Sequence, residues 1–103
     1  MPISQPMKTE QGKCIARIIN EMSMVLVQHH RFTPIIRSRL ADLSFHLSFG
    51  RKYEYQCIMD TMSLCEYASE VAEYRSDMDG YYRMNDDIRI LEQMRRCGNG
   101  CQC

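Results

Sequence analysis

The sequence contains no tryptophan, three prolines and five glycines, and carries no surplus charge of either sign, its 13 Lys and Arg balancing 13 Asp and Glu. So little Pro and Gly excludes collagen-like and low-complexity classes, and an apolar share of 45% excludes strong disorder. Long apolar runs are also missing. The longest near the start is Met24 to Val27, whereas a membrane span needs about 20 apolar residues in a row. The opening MPISQPMKTEQGK lacks the apolar centre of a secretion signal. No span and no export are therefore expected, and six cysteines beside nine oxidisable methionines point to a reducing cytoplasm.

Catalytic and cofactor signatures are absent as well, which sets the expectation of no enzyme activity and no cofactor. The stretch Asp77-Met78-Asp79-Gly80 has the look of a calcium loop, but setting Gly80 at the sixth position puts Arg75 where the leading carboxylate belongs. His29 and His30 are consecutive and diverge by about 100° on a helix, so they do not offer two nitrogens to one metal. His46 borders an apolar stripe, and no Ser or Cys stands at a spacing that suggests an activated nucleophile. Cys97, Cys101 and Cys103 crowd the end of the chain and are weak candidates for a soft metal, since no Cys-x-x-Cys pair is present. Cys14, Cys57 and Cys65 lie within helical patterns, where a free thiol acts as a small buried hydrophobe.

What is present is helical periodicity almost throughout, in a chain long enough to bury roughly two-thirds of its surface in one core. Residues 1–9 read as a flexible lead, 10–97 as a single helical domain and 98–103 as a flexible Cys/Gly tail. Thr9 suits the N-cap of a first helix running to Gln28, with Ile15, Ile18, Met22 and Val25 at 3-4-3 spacing. Thr33 followed by Pro34 announces a second helix to Phe49, closed by Gly50, with Ile36, Leu40, Leu43 and Leu47 turned inward. A third is expected from Tyr53 to Asp77, and a fourth, after an Asp79-Gly80 turn, from Tyr82 to Arg96. Short connections make a small antiparallel all-α bundle of about four helices.

The neutral total conceals a polarity. Residues 1–53 hold eight cationic groups against three anionic ones, a net of +5, and residues 54–87 hold nine carboxylates against two arginines, a net of −7. Within the second stretch, Glu66, Glu70, Glu73 and Asp77 form a carboxylate row at 4-3-4 spacing, flanked by Tyr67 and Tyr74. Like charges at i, i+4 cost a few tenths of a kcal/mol per pair, so the row is unfavourable for the helix alone. Such a face suits a basic surface on a protein partner, with the tyrosines as amphipathic anchors. It is sparse as a nucleic-acid mimic, at a charge about every 4 Å against about 1.7 Å in a duplex. The expected function is a stoichiometric protein binder or inhibitor, of the kind phage and mobile elements direct against host nucleic-acid-handling complexes. Two alternatives stand beside it: a homodimer that matches the basic half of one copy to the acidic half of another, and a nucleic-acid binder using Arg31, Arg37, Arg39, Arg51 and Lys52.

Overall fold

A computed structural model describes residues 9–49 and 54–97, and these form four helices with no strand among the described residues. They are α1 (Thr9–Gln28), α2 (Pro34–Phe49), α3 (Glu54–Tyr74) and α4 (Met78–Cys97). The small all-α bundle is as expected. Gly50, the lead before Thr9 and the tail after Cys97 lie outside the described residues.

The second helix begins where its sequence signal places it. Thr33 Oγ1 accepts the Ile36 N–H at 3.3 Å and the Thr33 carbonyl accepts that of Arg37 at 2.9 Å. That is an N-cap followed by Pro34, whose missing N–H would have found no partner there anyway.

The third helix ends three residues earlier than its periodicity predicts. Ser76 turns into the left-handed region at φ 59°, the Ser76 N–H bonds the Glu73 carbonyl at 3.0 Å, and the Asp77 N–H bonds the Ala72 carbonyl at 2.8 Å. This pair of bonds is a Schellman cap. The first helix closes the same way, with His30 at φ 58°, its N–H on the Val27 carbonyl and the Arg31 N–H on that of Leu26. Neither cap uses glycine, the residue by which such ends are recognised in a sequence.

The fourth helix starts at Met78, four residues before the expected Tyr82. Asp77 is its N-cap, Oδ1 accepting the Gly80 N–H at 3.1 Å. The Asp79-Gly80 pair is therefore not a turn but the first turn of α4.

Helix α3 is the centre of the packing. It lies most extensively against α4, then α1, then α2, and α1 meets α4 along a thinner seam. The core draws on all four helices: Ile15, Ile18, Met22 and Leu26, then Ile36, Leu40 and Leu43, then Cys57, Ile58, Leu64, Cys65, Ala68 and Ala72, then Met84 and Leu91. Burying each of the larger side chains stabilises the fold by about 1.5–3 kcal/mol before ordering costs are counted. Because α2 packs chiefly on α3, its opposite side is open, leaving Ile35 at 73% and Phe45 at 57% exposure.

Candidate functional site

The carboxylates and tyrosines singled out on the third helix share one face. Buried Leu64, Cys65, Ala68, Val71 and Ala72 turn the opposite side of α3 into the core. The 3.6-residue period therefore carries Glu66, Tyr67, Glu70, Glu73 and Tyr74 outward, and all five are exposed. Tyr74, at 82% exposure, stands almost clear of the protein.

Beside this face is a hollow of about 200 Å³ lined by Arg31, Tyr67, Glu70, Val71, Tyr74 and Arg75. The α1–α2 connection brings Arg31 there, held by its backbone bond to Leu26 at 2.7 Å. Two guanidinium groups thus accompany the end of an acidic face that its own helix left without compensation. Arg31, named from the sequence with the basic residues of the first half, lines this hollow.

Asp77 does not belong to the row. The chain has left α3 before reaching it, and the carboxylate turns inward to cap α4 with Oδ1 while Oδ2 lies 2.8 Å from His29 Nε2. The hydrogen bond from His29, reinforced by the Gly80 N–H, holds the Asp77 carboxyl below its ordinary range. Asp77 and His29 together tie the end of α1 to the start of α4. The exposed row is Glu66, Glu70 and Glu73, about 11 Å long.

Among the described basic residues of α2, the side chains do not converge. Arg37 and Arg39, both exposed on α2, point about 200° apart around the helix axis. The Arg37 guanidinium lies over the Phe32 ring at 5.8 Å from its centroid. Arg51 and Lys52 lie outside the described residues.

Among the described residues no three His, Cys, Asp or Glu side chains are grouped so as to hold a metal. Burial pushes the Cys57 thiol up to about 11 and the Cys65 thiol up to about 12, so neither supplies a thiolate near neutral pH. Cys14, Cys57 and Cys65 are free, and Cys57 and Cys65 are buried, as expected of thiols within helices. Cys97 is disulfide-bonded, which leaves it no thiolate for a metal, and Cys101 and Cys103 lie outside the described residues. No described helix is long and apolar enough to cross a membrane.

One group of functional appearance was not singled out from the sequence. Asp87 is 3% exposed, inside the core-facing side of α4, next to Glu21 of α1. Arg17 binds Glu21 Oε2 at 3.0 Å and comes to 3.8 Å of Asp87 Oδ1. The signal was available: Asp87 falls three residues after Met84 and four before Leu91, both fully buried, so the periodicity itself places a carboxylate in the core.

No protein-family model, no curated protein and no solved structure matches this chain.

Proposed function

We propose that this protein is a non-enzymatic binding module, a stoichiometric binder or inhibitor that docks the outer face of α3 on a basic surface of a protein partner. The observation that supports this reading is the joint exposure of Glu66, Tyr67, Glu70, Glu73 and Tyr74 over little more than two turns. Three like charges on one face work against the helix, and Tyr74, almost clear of the protein, forgoes burial. A partner with Lys and Arg opposite the carboxylates, and a surface to cover the tyrosine rings, would reverse both costs. The hollow between Tyr67, Tyr74 and Arg31 offers room for one side chain of that partner. Nucleic-acid-handling complexes present basic protein surfaces of this type, and their inhibition is the biological role that fits.

Affinity capture from the native host with the wild type and with Glu66→Lys/Glu70→Lys/Glu73→Lys tests the reading. The variant should keep its helical circular dichroism, because all three side chains point into solvent, and lose the partner. Undiminished capture by the reversed face would rule the reading out.

A second reading, homodimerisation, is favoured by the outer side of α2, where Ile35 and Phe45 are exposed with Arg39 one turn on from Ile35. Two copies related by a twofold axis would set this apolar, cationic side against the acidic tyrosine face twice over. Light scattering over a concentration series, repeated with Ile35→Lys/Phe45→Lys, separates it from the first. A wild type that remains monomeric at high concentration excludes the dimer.

A further inference from the structure

The α1–α4 seam is the thinnest of the substantial helix–helix contacts, and at its middle two carboxyl groups meet. Glu21 and Asp87 face each other across it, both beside the same Arg17 guanidinium. Glu21 commits Oε2 to Arg17 at 3.0 Å, while the same guanidinium stays 3.8 Å from Asp87 Oδ1, beyond hydrogen-bond reach. Two oxygens remain, Glu21 Oε1 and Asp87 Oδ2, both buried and without another partner. As two ionised carboxylates they would repel each other, with Glu21 Oε1 and Asp87 Oδ2 shut off from water. A single proton on Asp87 makes them partners, Oδ2–H donating to Glu21 Oε1.

The surroundings settle where that proton sits. From α1, Arg17 faces the pair and keeps Glu21 ionised; from α4, Arg83 favours the charge on Glu21 and Asp86 opposes that on Asp87; from α3, the buried Cys65 thiol brings no charge. Burial, then the bond to Glu21, pushes Asp87 up to about 7, and Glu21 is driven the other way. A hollow of about 480 Å³, lined by Arg17, Glu21, Tyr82, Arg83 and Asp87 among others, opens beside them and gives water a route to the seam.

We propose that Glu21 and Asp87 form a proton-operated clasp between α1 and α4: one shared proton holds the seam closed, and its loss sets a buried and a half-buried like charge against each other and opens it. The link from His29 to Asp77 stays in place at the far end of α1. The opening therefore falls on the part of α1 from Cys14 to Glu21 and on the facing stretch of α4, while α3 keeps the core together.

Amide hydrogen exchange of the full chain, corrected for base catalysis of the exchange chemistry, tests this. Opening of α1 around Ile15 to Glu21 should increase about tenfold from pH 6 to pH 8, the change expected of a group that titrates near 7 when closed and near its ordinary value when open. In Asp87→Asn the amide donates to Glu21 without titrating, so exchange there should be slow and flat across the same range. An Asp87→Asn protein with the wild-type pH dependence overturns the proposal. Should that variant fail to fold, carbon-13 NMR of the Asp87 carboxyl in the wild type decides the matter. A carboxyl still protonated at pH 6 supports the clasp, and one already fully ionised there defeats it.

Discussion

A methyl group added at Gly80 would lie 2.5 Å from Asp77 Oδ2 and 3.4 Å from the Ala72 Cβ. The glycine is needed because α4 begins close against α3 and because the Asp77 carboxylate occupies the space above it. Its backbone adopts an ordinary helical conformation, so the turn signal read from Asp79-Gly80 had the right residue and the wrong cause. Gly80→Ala should gain up to about 1 kcal/mol of helix propensity. It must also push aside a carboxylate that caps α4 and binds His29, and a lost cap alone costs about 0.5–2 kcal/mol. We expect a net loss of about 1 kcal/mol in urea denaturation. The same substitution in an Asp77→Ala background should be neutral or stabilising, since the obstructing group is then gone. Additivity between the two positions would show that Asp77 is not what Gly80 makes room for.

At the level of the helices, apolar spacing located the elements and their buried faces, whereas caps without a recognisable residue hid their ends. Ile15, Ile18, Met22, Val25, Ile36, Leu40 and Leu43 are buried as their 3-4 spacing requires. The acidic face was legible for the same reason, because Glu66, Glu70 and Glu73 are set by the phase of the stripe behind them. Asp77 was misassigned because the same phase was carried past the point where the chain stops being helical. Nothing in Tyr74-Arg75-Ser76 announces a helix end, and a left-handed residue with a Cβ is disfavoured. Tertiary contacts override that preference: the turn at Ser76 delivers Asp77 to His29 and to the first N–H groups of α4. Ser76→Gly should therefore stabilise the protein by about 0.5–1 kcal/mol, and Ser76→Val should destabilise it by more than that, through strain at φ 59°. Urea midpoints at constant m-value measure both. Equal midpoints for the three proteins would mean that the left-handed cap is not populated.

Over the whole molecule, the neutral charge total divides into a cationic first half and an acidic second half, yet the groups that set how stability varies with pH are a few partly or fully buried carboxyls where the halves meet. Their signs oppose one another. The Asp77 carboxyl is held low, so the stability it contributes is complete above the ordinary carboxylate value and is lost as pH falls through its depressed one. Glu92, lowered by Arg95 and Arg96, acts in the same direction but lies at the surface, where solvent screens the pair and couples it weakly to folding. Asp87 is held high, so its contribution is complete below the ordinary value of 3.8 and is lost as pH rises through about 7. Stability should therefore peak on the acid side of neutrality, declining below the peak as Asp77 gains a proton and above it as Asp87 loses one. Thermal unfolding from pH 3 to pH 9 should trace that dome. Asp87→Asn should flatten only the alkaline side and Asp77→Asn only the acid side, because each removes one titration and leaves the other in place. A wild-type melting temperature that rises steadily from pH 5 to pH 8 would show that the carboxyl pair across the α1–α4 seam carries no proton in the folded protein.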